Sequence, residues 1–376
     1  MPVKEKTASY LLSFIVSVFN ALQAPLLSVY AYDLGIGKVD IGLINGVAPF
    51  FYALTAPFSA ILSGRLGVRR TIAASLSILS LSYFVFSVSK SPLALILVNV
   101  ACVSSFALFW PAVEVLVSHS GGSVRAFTAS WSSGAIVGAF LTAPLLEVEK
   151  AWVFKGLGVL SLVLLGLSFL VSDSEDESEL RSFTYFSEAL RRLYVSWLSC
   201  FVYAFAQTAV FVFYPVLAEE IYLPPLQVGA VLSALTSTRT VTFILYPRLR
   251  RIWQHELMGA LLLALGLGFL AGIPQMIPSI LSATIMGIGA GLLYASALTA
   301  VFEQKNTSMY TGLFESFIGL GYGVSPLLGG YVATFSTQIA MVVTAVLSFT
   351  IILTVMLLRE LRITSFTRKG VLQGSN

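Results

Sequence analysis

The sequence predicts an all-α membrane protein with twelve transmembrane helices, arranged as two six-helix bundles. Two observations carry this prediction: apolar stretches of about 20 residues recur along the whole chain, and basic residues gather on every second connection between them. A hydrocarbon core about 30 Å thick needs about 20 apolar residues at a rise of 1.5 Å each, so every stretch can cross a bilayer as a helix. The stretches lie near residues 8–32, 41–62, 71–89, 92–117, 126–146, 151–171, 194–217, 227–246, 257–275, 278–302, 309–333 and 338–358.

The orientation follows from lysine and arginine, which favour the cytoplasmic side of a membrane. With a cytoplasmic N-terminus, 17 of the 22 basic residues fall on the cytoplasmic side, and only Lys38, Lys90, Lys150 and Lys155 fall on the outer side. The opposite orientation would require most of this charge to cross the membrane. We therefore expect a multi-pass protein of the cell membrane with both termini in the cytoplasm.

The composition excludes an ordinary soluble domain. Hydrophobic residues make up 57% of the chain and charged residues only 11%, against about 25% charged residues in a typical soluble domain. The net charge of +4 lies at membrane edges, where topology accounts for it, so we expect no nucleic-acid partner. Cys102 and Cys200 both fall inside predicted spans, which argues against a disulfide.

One long polar stretch divides the chain into two halves. It begins with an acidic run at residues 173–179 and ends at Arg191 and Arg192. Residues 1–171 are predicted to form an N-terminal six-helix bundle, residues 172–193 a cytoplasmic linker, and residues 194–376 a C-terminal six-helix bundle with a short cytoplasmic tail. The linker is too short to bury a core of its own.

The two halves resemble each other at a nearly constant offset, as expected of an internal duplication. Because six spans are an even number, both halves enter the membrane from the same side and are related by an axis along the membrane normal. The matches are Gln23 and Tyr30 with Gln207 and Tyr214 at 184 residues, Arg65-Leu66 with Arg248-Leu249 at 183, and Gly134 and Gly138 with Gly319 and Gly323 at 185.

Several motifs resemble the major facilitator superfamily, and the six-plus-six pattern extends this resemblance over essentially the whole chain. Where the family commonly carries G-x-x-x-D-R-x-G-R-R, the chain has a matching turn glycine and basic residues, but Gly64 takes the acidic position and Ala60 that of the first glycine. The resemblance implies secondary transport of a small solute by alternating access between the halves. The motifs are Gly64-Arg65-Leu66-Gly67-Val68-Arg69-Arg70, Phe109-Trp110-Pro111 followed by Glu114, and the glycine-rich run from Gly319 to Gly330.

Three charged residues fall inside predicted spans: Glu114, Arg239 and Glu315. A charge in the bilayer costs at least about 2.5–3.5 kcal/mol, so each should have a partner or face water. Arg239 and Glu315 lie at similar depth, about 10 and 12 Å from the cytoplasmic helix ends, and spans 8 and 11 are neighbours in the family. We expect a direct or water-linked pair. Two interpretations stay open: a structural ion pair, or a site in which Glu315 carries a proton or Arg239 holds an anionic group of the solute.

Glu114 lies only about 6 Å from the cytoplasmic end of its span. We expect a gating or packing contact with Arg125 or with the loop that carries Arg65 and Arg69, in preference to substrate binding.

Polar and aromatic side chains on the spans that line the cavity in the family are the candidate substrate contacts. Hydrogen bonding between helices is the alternative for each amide, and packing is the alternative for each aromatic ring. The symmetry of the repeat suggests that Gln23 and Gln207, and likewise Tyr30 and Tyr214, face one cavity. The candidates for substrate binding are Asn20, Gln23, Asn99, Trp110, Gln207, Arg239 and Tyr294.

Other function classes find little support in the sequence. Gly37-Lys38-Val39 lacks the flanking residues of a phosphate-binding loop, and no G-x-S-x-G elbow or metal-ligand spacing occurs, which argues against a pump driven by ATP and against an enzyme. We expect a monomer without metal or cofactor, whose partners are the lipid bilayer, a small solute and, as a candidate, protons. A sensor or a lipid-moving protein of the same fold is the alternative. The Gly-x-x-x-Gly pairs beginning at Gly134, Gly287 and Gly319 predict close approach of helix backbones.

Overall fold

The computed structural model describes residues 2–120, 123–169, 190–249, 255–304 and 307–373. Within these ranges the chain forms twelve long helices and no strand. Most of the predicted linker, residues 170–189, lies outside the described residues. The helices are α1 (Pro2–Asp33), α2 (Lys38–Leu66), α3 (Val68–Phe86), α4 (Pro92–His119), α5 (Val124–Leu146), α6 (Lys150–Ser168), α7 (Tyr194–Glu220), α8 (Pro225–Leu249), α9 (His255–Gly272), α10 (Met276–Phe302), α11 (Thr307–Ala333) and α12 (Thr337–Gln373).

Every predicted span corresponds to one helix, and most of the helices are longer than the apolar stretches. The stretch predicted at 41–62, for example, is a helix from Lys38 to Leu66. A span of about 20 residues satisfies the bilayer, and the backbone hydrogen bonds continue beyond it because polar residues are also compatible with a helix. Within the described residues, nine helices are long and apolar enough to cross a membrane, judged by length and composition alone. The other three are α2 and α11, which pack against each other, and α3, which begins with two arginines.

The pairing of helices repeats after six helices, as the predicted duplication requires. In the first half α1 packs on α5, α2 and α3 pack on α4, and α3 packs on α6. In the second half α7 packs on α11, α8 and α9 pack on α10, and α9 packs on α12. The chain therefore folds as two equivalent six-helix bundles.

Two helix pairs join the halves, α2 with α11 and α5 with α8, and α1 also touches α7. We call the end of the molecule at which α1 begins the basic side, because Arg69 and Arg248 lie there, and the opposite end, where α1 ends at Asp33, the far side.

Glycines bring the helix backbones of the two halves into direct contact toward the far side. A Cβ on Gly42 of α2 would lie 2.9 Å from the Gly330 Cα of α11, and a Cβ on Gly229 of α8 would lie 2.6 Å from the Ala143 Cβ of α5. These distances leave no room for a side chain. We call the α2–α11 contact the glycine seam; it runs from Gly42 opposite Gly330 to Gly319 opposite Ala53.

An ion pair also joins the halves on the far side. Lys38 Nζ at the start of α2 lies 2.5 Å from Glu220 Oε1 at the end of α7. Ser233 of α8 donates a hydrogen bond of 3.5 Å to the Ile136 carbonyl of α5. Together with the glycine seam, these contacts close the far side of the molecule.

The predicted close approaches at the Gly-x-x-x-Gly pairs are confirmed. A Cβ on Gly138 of α5 would lie 2.6 Å from the Val18 carbonyl oxygen of α1, and a Cβ on Gly291 of α10 would lie 2.7 Å from the Arg239 carbonyl oxygen of α8. The first contact holds the N-terminal bundle together, and the second fixes the backbone of a buried arginine.

Candidate functional site

A carboxylate lies where the glycine seam ends, near the middle of the molecule. Tyr52 of α2 donates a hydrogen bond of 2.9 Å from its hydroxyl to Glu315 Oε2 of α11. One residue further on, Ser316 donates 2.9 Å to the Ala53 carbonyl. Glu315 is therefore held by a residue of the other half, and any movement of the halves that parts α2 from α11 breaks this bond.

Glu114 of α4 is a second carboxylate at the same site. Its charge interacts with that of Glu315. Its side chain is solvent-accessible although protein surrounds it closely, as occurs when a residue lines a water-filled cavity. The structure describes no ion pair between Glu114 and Arg69 or Arg70, and the side chain of Arg125 lies outside the described residues. The gating role of Glu114 stays a prediction.

The predicted direct ion pair between Arg239 and Glu315 is wrong. Arg239 Nη1 donates 2.9 Å to the Tyr203 hydroxyl and 2.8 Å to Gln207 Oε1, whereas Glu315 accepts its hydrogen bond from Tyr52. The two side chains therefore belong to different networks. A water-linked pair stays a prediction.

A cluster of aromatic rings extends from the tyrosine that binds the arginine. Tyr294 of α10 lies with its ring centroid 5.0 Å from that of Tyr203 and 5.4 Å from that of Phe314, and it interacts electrostatically with both Arg239 and Glu315. Tyr294 is only partly buried. Part of its side chain is therefore not covered by protein.

The candidate amides divide into two groups. Gln23 Nε2 donates 3.1 Å to Asn99 Oδ1, and Asn99 Nδ2 donates 2.7 Å to the Ile44 carbonyl, so these two amides link α1, α4 and α2. Gln207, by contrast, bonds to Arg239 and belongs to the arginine network. Asn20 is exposed. Substrate contact stays a prediction for all four.

Trp110 is partly buried and packs edge-on against Phe109, with ring centroids 5.3 Å apart. It precedes Glu114 by one helical turn, so the two side chains share a face of α4. Its role as a substrate contact stays a prediction.

The expectation that Tyr30 and Tyr214 face one cavity is wrong. Tyr30 donates 3.0 Å to the Ser89 carbonyl beyond α3, and Tyr214 accepts 3.0 Å from Gln227, which also donates to the Pro274 carbonyl beyond α9. Each tyrosine is thus anchored near a far-side connection of its own half. The two tyrosines are equivalent positions of the repeat, and each contributes to the packing of its own half.

The motif between α2 and α3 contains a turn that requires glycine. Gly67 has φ 85° and directly precedes α3, in whose first turn Arg69 lies. This left-handed conformation strains any residue with a Cβ. The side chain of Arg65 lies outside the described residues, so the proposed gating role of both arginines stays a prediction.

Sequence reasoning missed Tyr52 and Tyr322. Gln207 Nε2 donates 3.3 Å to the Tyr322 hydroxyl, which lies 3.5 Å from that of Tyr203. Tyr322 stands between two glycines of the α11 motif, and that position in a close-packed helix was the available signal. Nothing in the sequence distinguished Tyr52 from other aromatic residues. Among the described residues no group of three His, Cys, Asp or Glu side chains could hold a metal.

Comparison with known proteins agrees with this architecture. A family model for the Major Facilitator Superfamily matches residues 9–304 and 196–371. A mutant of the nucleoside transporter NupG superposes with a TM-score of 0.78 at 14% identity, over 94% of this chain and 99% of that one. A bacterial homologue of the human lysosomal transporter Spinster, in an inward-facing occupied conformation, superposes with a TM-score of 0.74 at 12% identity, over 94% and 95% of the two chains. At these identities the likeness shows the fold.

Among curated proteins, the quinolone resistance protein NorA of Staphylococcus aureus is 27% identical over 176 residues, which are 45% of each chain. The alignment with this relative thus spans less than half of its length. The family model, in contrast, extends over both six-helix bundles. The chain belongs to the Major Facilitator Superfamily.

Proposed function

We propose that this protein is a secondary transporter that moves a small organic solute across the cell membrane by alternating access, with Glu315 as the site of a coupling proton. The observation that carries the proposal is the hydrogen bond of 2.9 Å from Tyr52 to Glu315, which joins the two halves where the closed seam ends. A carboxylate in this position changes its surroundings whenever the halves rock. Its affinity for a proton then differs between the two states, which is the requirement for coupling.

The surroundings of Glu315 support this role. Glu114 contributes a second carboxylate whose charge interacts with that of Glu315. Two carboxylates that interact in this way repel each other when both are ionised. Separation of the halves would remove the Tyr52 hydroxyl from Glu315 and change the affinity of this carboxylate for a proton.

The state described by the structure fits a transport cycle. The far side is closed by the glycine seam and by the Lys38–Glu220 pair, while Glu114 remains solvent-accessible. We place the basic side in the cytoplasm because lysine and arginine favour that side. The conformation is then closed to the exterior, with both termini in the cytoplasm, and the residues 172–193 would link the halves on the cytoplasmic side.

Transport in proteoliposomes tests the proposal. Solutes that raise the melting temperature of the purified protein would be assayed for flux, with and without a pH gradient, using a pH-sensitive dye inside the vesicles. We expect solute flux that moves protons in the wild type. Glu315→Gln should exchange solute across the membrane but lose the response to the pH gradient, whereas Glu147→Gln, at an exposed far-side carboxylate, should behave as the wild type does.

Three results would contradict the proposal. Solute binding without any flux would favour a sensor, and flux of Glu315→Gln that still follows the pH gradient would exclude Glu315 as the proton site. Transfer of a labelled lipid between leaflets in the same vesicles would favour a lipid-moving protein.

A further inference from the structure

Arg239 is a buried cation for which the described part of the chain supplies no anion. Its side chain is only 8% exposed, and it lies within the span formed by α8. Ion pairs occur at Lys38, Lys150 and His255, and none of the ion pairs in the described ranges involves Arg239. A desolvated charge without a counter-ion is costly. Such a group is retained where it has a function that offsets this cost.

The guanidinium is held in place by neutral groups. Its Nη1 donates to Tyr203 and Gln207, which lie one turn apart on the same face of α7. The backbone of Arg239 is fixed as well, because a Cβ on Gly287 of α10 would lie 3.1 Å from the Arg239 nitrogen. The arginine is therefore positioned in advance, without its charge being neutralised.

Two nitrogen atoms of the Arg239 side chain, Nε and Nη2, remain available as hydrogen-bond donors. Nε and Nη2 form no hydrogen bond in the described part of the chain, and neither belongs to the fully buried atoms that lack a partner. Neither atom is therefore completely enclosed by the described part of the protein. Nε and Nη2 form the edge of a guanidinium that binds a carboxylate with two parallel hydrogen bonds.

Aromatic side chains adjoin this edge. The guanidinium carbon lies 6.0 Å from the centre of the Tyr203 ring. The Tyr294 ring packs against that of Tyr203, with the two ring centroids 5.0 Å apart. Tyr294 in turn has Phe243 edge-on at 5.6 Å. Rings in this arrangement offer faces against which a planar ligand can stack.

We propose that Arg239, with Tyr203 and Tyr294, forms an anion subsite that binds the carboxylate of a small aromatic acid. The proposal rests on the proposed transport function, of which it specifies the class of solute. The anion would complete the coordination of Arg239, and the ring would lie along the tyrosines toward Glu315. Glu114 and Glu315, when ionised, would repel the carboxylate, so the acid group of the solute would point away from them.

Binding to the purified full-length protein in detergent tests the subsite without any need for transport. The probes are benzoate, salicylate and indole-3-acetate, each compared with its methyl ester, which keeps the ring and removes the charge. Affinity is measured by calorimetry and by the shift in melting temperature. We expect at least one acid to stabilise the wild type and to bind at least about tenfold more tightly than its ester, because hydrogen bonds to a charged group are strong.

Variants of Arg239 separate an anion subsite from a structural role. Arg239→Met should bind the acid at least about tenfold more weakly, while its melting temperature without ligand should equal or exceed that of the wild type, because an uncompensated charge has been removed. Arg239→Lys should retain part of the preference for acid over ester. Arg248→Met, at an exposed arginine of the same helix, is the matched control and should bind as the wild type does.

Equal binding of acid and ester by the wild type would overturn the proposal, as would an acid preference that survives in Arg239→Met. A wild type that none of the three acids stabilises at millimolar concentration would also overturn it. If Arg239→Met fails to fold, the comparison of acid and ester binding in the wild type and in Arg239→Lys still tests the subsite. Solute flux without a preference for acids would refute the anion subsite alone, whereas acid binding without flux would refute transport alone.

Discussion

Substitution of Gly42 by alanine should weaken the closed far side. In the structure, a Cβ on Gly42 would lie 2.9 Å from the Gly330 Cα and closer still to the Pro326 carbonyl oxygen. Ordinary contact begins at 3.4 Å, so α2 and α11 must part by at least about 0.5 Å. Both neighbours are backbone atoms, which cannot turn aside. Overpacking of this kind costs about 1–3 kcal/mol, which corresponds to a shift of about 5- to 150-fold away from the closed state.

The measurement is a distance between spin labels on the far side, one in each half. Val148→Cys and Phe335→Cys are suitable because both positions are exposed there, while the native Cys102 and Cys200 are buried and should not react. We expect a longer distance to gain population in Gly42→Ala. Gly156→Ala is the control, since a Cβ there meets nothing within 4 Å. An unchanged distance distribution, or the same change in Gly156→Ala, would refute the reasoning.

Two further predictions concern the far side and the packing of the second half. Lys38→Met should shift the same distance distribution by only about two- to fivefold, because the Lys38–Glu220 pair is partly exposed and such pairs contribute at most about 1 kcal/mol. The double variant Lys38→Glu with Glu220→Lys, which exchanges the two charges, should restore the wild-type distribution. Its failure to do so would argue against the pair. Gln227→Leu should lower the free energy of unfolding by about 1–3 kcal/mol, because this amide is only 2% exposed and bonds to Tyr214, Pro274 and Ser279. Thermal unfolding would measure the loss. Gln275→Leu, at an exposed position, is the control and should change the stability little.

The fold could be predicted from the sequence because a bilayer imposes one simple condition on every span. About 20 apolar residues must cross it, and the backbone must satisfy its own hydrogen bonds as a helix. The constant offset between matching residues, such as Gln23 and Gln207, then predicted the internal repeat. Helix ends were less predictable, since the helix of α2 continues through Lys38 into the polar interface.

The site was predicted less well, because sequence gives the depth of a residue but not the direction in which its side chain points. Arg239 and Glu315 were expected to pair because the sequence predicts similar depths for them, yet their side chains bond to different partners. The partner of Glu315 is a tyrosine from the other half, 263 residues away. A contact between halves depends on how the bundles are docked, and no local pattern encodes that.

The glycine seam has a consequence for the integrity of the membrane. A leak of protons or ions through a protein needs a continuous path of water molecules and polar side chains, and each water needs a space of about one probe sphere. Between Gly42 and Gly330 the helix backbones touch without even a methyl group to spare. A protein packed in this way can hold water on one side and still prevent an ionic leak. The gradient that drives transport is then not dissipated when no solute is bound.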